Sequence, residues 1–225
     1  MVLRAGTGDS SAQRALADLC RTYWLPLYVY VRRRGRNHHD AEDLTQSFFA
    51  DLLDRGALHR ADPARGAFRN FLLSSLSNYL HNAHDHATAA RRGGALEHVP
   101  LDAREAAAVF EQIDADALAP DRAFERSWAL AIFDRALGRL REEQQRLGRA
   151  AWFDRLKPLL QTGPRPGDYE TIATEFGVTK NVVAVAMHRL SGRYRQLVRD
   201  EIAETVDGPE AVEKELRELL AALSS

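Results

Sequence analysis

The sequence predicts an all-α protein: two helical domains joined by an acidic linker, the second containing a helix-turn-helix. Three observations predict it. Apolar residues recur three and four positions apart along nearly the whole chain, and no stretch alternates as a strand would. A block of weak periodicity, bracketed by Gly93-Gly94 and Pro120, interrupts the helical pattern in the middle. Charge is segregated: Glu97 to Asp121 holds seven carboxylates against Arg104 alone, whereas Gly177 to Arg199 holds Lys180, Arg189, Arg193, Arg195 and Arg199 with no carboxylate. The expected divisions are a helical domain over 13–94, an acidic linker over 95–120, a helix-turn-helix domain over 121–203 and an acidic amphipathic helix over 204–225.

In the first domain, Leu16, Leu19, Cys20, Tyr23, Trp24, Leu27, Tyr28 and Val31 trace one face of a helix that Pro26 is expected to bend. Asp40 is placed as the cap of a second helix, with Asp43 three residues on as a capping-box acid and Ala41, Leu44, Phe48 and Leu52 as its core stripe. Phe68, Phe71, Leu72, Leu76, Tyr79 and Leu80 mark a third helix. Beyond the linker, Phe124, Trp128, Ile132 and Leu140 restore helical spacing, and Trp152, Phe153, Leu156 and Leu159 form a shorter apolar helix. The acidic tail carries Val212, Leu216, Leu219, Leu220 and Leu223 at amphipathic spacing. Three roles remain open for it: covering the second domain, competing for the basic helix, or binding a regulator.

Composition limits the function classes. A hydrophobic share of 45% and a charged share of 28% suit a folded globular chain, so disorder of the whole is not expected. The lone Cys20 excludes an intrachain disulfide, as expected in a reducing cytosol. Met1 to Ser10 lacks the apolar core of a signal peptide, and the longest apolar run, Trp24 to Val31, is too short to insert in a membrane. A cytoplasmic protein is expected. The net charge of −1 is unlike the basic balance usual in nucleic-acid-binding domains, but averaging hides the cationic run from Lys180 to Arg199, which the acidic segments offset.

The stretch from Asp168 to Arg199 is the most specific. Asp168 is placed as the cap of a short helix with Tyr169, Ile172, Ala173 and Phe176 inward; Gly177 ends it. Thr179 then caps a longer helix, Val178 stapling onto Val183, with Val183, Met187, Leu190, Tyr194 and Val198 buried. The opposite face holds Asn181, Val185, His188, Arg189, Gln196 and Arg199. Asn181 and Val185 would face base edges in a major groove, with His188 beside them. Lys180, Arg189, Arg193, Arg195 and Arg199 would neutralise phosphates. A helical hairpin with a solvated basic face is the blander alternative. On the helix after Asp40, the side away from the core stripe carries Glu42, Gln46, Phe49 and Leu53, beside Asp43. This side is either a partner surface or packing within the domain.

Tyr23-Trp-Leu-Pro-Leu-Tyr28 and Asp40-Ala-Glu-Asp-Leu-Thr-Gln46 followed by Phe48-Phe49 resemble region two of bacterial RNA polymerase sigma factors of the extracytoplasmic-function group. Tyr169-Glu-Thr-Ile-Ala173, Phe176-Gly-Val-Thr179 and Val183 to Tyr194 resemble region four. The resemblance implies a non-enzymatic, promoter-specificity subunit without cofactor or metal. Its implied partners are core polymerase, bound at the clamp of the largest subunit through Glu42, Asp43, Gln46, Phe49 and Leu53, and promoter DNA, both double-stranded and melted. Arg69, Asn70, Asn78, Asn82, Arg91 and Arg92 would serve the melted minus-ten strand, and the helix-turn-helix the minus-35 element. By composition alone the acidic linker is a solvated tether; the resemblance implies instead that it lies in the polymerase's RNA path, and an anti-sigma regulator is a further partner it allows. His84 and His86 stand where similar sequences tend to carry Trp and basic residues, and Ala184, Ser191 and Gly192 where they tend to carry cations, which lowers the expected promoter affinity.

His81, His84 and His86 invite a metal, but no cysteine or clear fourth ligand lies near them in the sequence. No paired-carboxylate motif suggests catalysis. Two other readings stay open: a helix-turn-helix regulator whose first half senses a signal, and a degenerate sigma-like adaptor that binds polymerase without reading promoters.

Overall fold

The computed structural model describes residues 10–54, 66–86 and 118–224. Every regular element among them is helical, and no strand is present there. In chain order these are α1 (Ser10–Arg33), α2 (His38–Asp54), α3 (Phe68–His86), α4 (Pro120–Arg146), α5 (Ala150–Thr162), α6 (Asp168–Phe176), α7 (Lys180–Ala203) and α8 (Pro209–Ser224). The expected all-α class is observed. Residues 95–117 of the expected linker lie outside the described residues.

The chain forms two compact units, Met1–Ala131 with Ile202–Ser225, and Ile132–Glu201. The division falls within α4 and α7, and it places the acidic α8 with the first unit.

In the first unit, α1 is buried continuously from Pro26 to Val31, so Pro26 sits inside an uninterrupted helix. An aromatic cluster joins helices far apart in sequence. Tyr23 stacks on Trp128 at 4.0 Å between ring centroids. Phe68 meets Tyr23 edge-on at 6.0 Å and lies 6.4 Å from Trp128. Such pairs add directionality to the large area these rings bury. The Asn37 side chain, rather than Asp40, caps α2. Asn37 Oδ1 accepts from the Asp40 backbone N–H at 2.9 Å, and Asn37 Nδ2 donates back to Asp40 Oδ2 at 2.8 Å. The first bond is that of an N-cap, three residues earlier than the sequence suggested; the second joins the two side chains and does not reach the Asn37 backbone N–H as a full capping box would. α8 buries Val212 and Leu219, and the Phe68 backbone N–H donates to the Thr205 carbonyl at 3.0 Å, fastening the approach to α8 against the start of α3.

In the second unit, Phe153, Leu156 and Leu159 of α5 and Ile172 and Ala173 of α6 are buried, as are Val183, Met187, Leu190, Leu197 and Val198 of α7. Tyr194 is half-buried, and its hydroxyl donates to the Phe133 carbonyl at 3.2 Å; burial, reinforced by the Asp134 charge, pushes this phenol up to about 12. Glu201 is buried between Arg135 and Arg139, at 2.8 and 2.7 Å. Gly192 lies in the interior of α7 on the solvent side, where an added Cβ meets nothing. Gly192→Ala should therefore stabilise the protein by about 0.5–1 kcal/mol by restricting the unfolded chain and raising helix propensity. Urea unfolding checks this, and a lowered midpoint would contradict an unstrained helical backbone at that position.

Candidate functional site

The basic face is built on α7. Ahead of it, α6 runs from Asp168 to Phe176 with left-handed Gly167 at its N-cap; Asp168 Oδ2 accepts from the Arg165 backbone N–H at 2.7 Å. Asp168 thus orders the loop before α6, whereas the sequence placed it as the cap. Gly177, at φ 64°, ends α6 in the left-handed region, and the Val178 N–H returns to the Ala173 carbonyl at 2.9 Å. That closure satisfies orphan carbonyls and turns the chain sharply. Thr179 precedes the first residue of α7, and the Val182 N–H reaches the Thr179 carbonyl at 3.0 Å.

Lys180, Asn181, Val185, His188, Arg189, Arg193 and Arg195 are all exposed, and Arg199 is half-exposed. Lys180 and Arg193 each pair with a carboxylate. Lys180 Nζ pairs with Glu170 at 2.5 Å, and this hydrogen bond holds the Glu170 carboxyl below its ordinary range. Arg193 makes a two-pronged contact with Glu143, Nε at 2.8 Å and Nη2 at 2.6 Å. Hydrogen bonding from Arg193 lowers the Glu143 pKa, despite an opposing effect of burial. Because that carboxyl titrates below the usual range, acidification disrupts the pair only there. At neutral pH it stays intact.

Val182 was missed in the sequence pattern because three- and four-residue spacing put it next to the core residue Val183. It is 46% exposed, beside Val185 at 41%. With Trp152, Phe153, Leu156 and Arg189 these valines line an open groove of roughly 570 Å³. Trp152 is held there by stacking on Phe176 at 4.5 Å.

On α2, Glu42 and Gln46 are half-exposed and Asp43 is exposed. Glu42 lies 3.6 Å from His38 Nε2 and 4.0 Å from His39 Nδ1. Phe49 departs from the expected surface. It is only 5% exposed, with its ring 5.7 Å from that of Phe48. The buried arc of α2 runs through Ala41, Thr45, Phe48, Phe49 and Leu52, wider than the stripe read from the sequence. The Leu53 side chain lies outside the described residues.

On α3, Asn70, Asn78 and Asn82 are exposed along one side. Tyr79 is half-exposed, 5.7 Å from Phe48. Arg69 does not join the asparagines at the surface. It is 6% exposed and bound by Glu215 and Glu218 of α8. Arg91 and Arg92 lie outside the described residues, as do the side chains of His84 and His86. Among the described residues no group of His, Cys, Asp and Glu is placed to hold a metal ion, and no helix is long and apolar enough to cross a membrane.

Compared with known proteins, the chain matches no curated protein and no solved structure. One family does match, and it covers the segment that includes α2 and α3: residues 19–90 fit the family model of Sigma-70 region 2.

Proposed function

We propose that this protein is a sigma factor of the extracytoplasmic-function type, which brings core RNA polymerase to promoters and starts transcription without catalytic chemistry of its own. The observation that carries the reading is the match of residues 19–90 to Sigma-70 region 2. The α2 face of Glu42, Asp43 and Gln46 is the polymerase-docking surface, directed at the clamp of the largest subunit. The exposed asparagines of α3 serve the melted strand. The pair α6–α7 acts as the helix-turn-helix that reads double-stranded promoter DNA, supported by its left-handed Gly177 turn and exposed cations. The partners place its work in the cytoplasm. An anti-sigma regulator would act by covering the α2 or α7 face.

The ion pairs Lys180–Glu170 and Arg193–Glu143 favour a second reading, a sigma-like adaptor that binds polymerase but grips promoters weakly.

Replacing Glu42, Asp43 and Gln46 together by Ala should abolish retention of the chain on immobilised core polymerase, with an unchanged circular-dichroism spectrum. Retention equal to wild type would refute the docking face. Phe49 is left intact because truncating a buried ring perturbs the fold by itself.

A further inference from the structure

α7 carries two β-branched residues where neither burial nor helix stability calls for them. Among the described residues, Val182 and Val185 are two of four large apolar side chains that stand exposed, with Leu147 and Leu220, and only these two share a helix. Val183, Met187 and Leu190 pack the core and leave Val182 and Val185 to solvent. Valine is a weaker helix former than alanine, because its χ1 freedom is lost against the preceding turn. The two side chains therefore cost α7 helix stability and leave apolar surface in water. At about 100° per residue they point about 60° apart, on one stripe with Arg189.

The charge around the stripe indicates what covers it. Lys180, Arg189, Arg193 and Arg195 flank it, and α7 has no carboxylate before Asp200. Arg189 lines one groove with both valines and is exposed. Such a surface fits a polyanion that also presents apolar groups. In the major groove of duplex DNA the apolar group is the C5-methyl of thymine; the other base-edge groups are hydrogen-bond donors and acceptors, which a valine side chain cannot meet.

We propose that Val182 and Val185 read thymine: each packs on the C5-methyl group of a thymine in the major groove while the flanking cations hold the phosphates. This deepens the reading of α6–α7 as the helix-turn-helix and rests on it. Residues three apart on a helix are about 5–6 Å apart and successive base pairs about 3.4 Å, so the two thymines stand within about two base pairs of each other.

The test selects duplexes bound by the full-length chain from a randomised pool, then replaces each thymine of the selected site singly by deoxyuridine. That exchange removes the methyl and leaves every hydrogen-bonding group in place. Two neighbouring positions should each lose about fourfold in affinity, the factor for one methyl-sized group left in water. The salt slope should not change, because no phosphate contact is lost. Val182→Ala and Val185→Ala should each bind the unmodified site more weakly by a similar factor, and each should be indifferent to deoxyuridine at one of the two positions. Neither variant should unfold more easily, since both side chains are exposed and alanine is the better helix former. The deoxyuridine series on wild type decides by itself if a variant fails to fold. Selected sites without fixed thymines, fewer than two sensitive positions, or a deoxyuridine effect as large in both variants as in wild type overturns the thymine contact and leaves α7 on DNA. Absence of duplex binding by wild type overturns the helix-turn-helix reading, and the thymine contact with it.

Discussion

Arg69→Ala should lower the unfolding free energy by about 3–5 kcal/mol, because it leaves the Glu215 carboxylate buried without its partner. Glu215 is 4% exposed, so water cannot replace the guanidinium without opening the packing between α3 and α8. Removing both charges is a different matter. A well-packed apolar pair, Arg69→Met with Glu215→Met, should be near neutral or stabilising, since neither ion then has to be stripped of water. Chemical denaturation of the two variants separates the cases. A loss below about 1 kcal/mol in Arg69→Ala would show that the contact does not persist in solution.

Replacing Arg189 and Arg195 together by Ala should weaken duplex DNA binding on the order of 10- to 100-fold near physiological salt and lower the salt slope by about 2, uniformly across sequences. Both side chains are exposed, and Arg195 Nε donates to the Ser191 carbonyl at 3.3 Å, a long contact within its own helix. Glu143→Gln should act in the opposite direction. It releases Arg193 from its two-pronged partner and steepens the slope by up to about 0.9. Titrations at several salt concentrations check both. An unchanged slope in the Arg189/Arg195 variant would remove α7 from the DNA interface.

What the sequence revealed follows the reach of each interaction. The α7 core stripe was legible because Val183, Met187, Leu190, Tyr194 and Val198 repeat on one helix face, and the structure buries all of them but Tyr194, which is half-buried. The start of α2 was misplaced by three residues because Asn37, Asp40 and Asp43 are themselves three apart, so two capping registers look alike. Residue pattern left Phe49 open between a partner surface and packing within the domain, because the stripe Ala41, Leu44, Phe48, Leu52 accounts for only a narrow buried face, whereas α2 is covered over a wider arc. Arg69 could not be read correctly from its neighbours. Its partner Glu215 lies 146 residues away, and no local pattern reports a contact of that range. The seat of α8 was illegible for the same reason: amphipathic spacing identifies a helix and its apolar face, but not what that face meets.

The measurement closest to the central claim is transcription by purified core RNA polymerase on genomic fragments, with and without this protein. New, discrete start sites are expected that require the protein and disappear with the Glu42, Asp43, Gln46 triple Ala variant. Core enzyme that binds the protein yet gains no start site would contradict the sigma reading and leave the adaptor in its place.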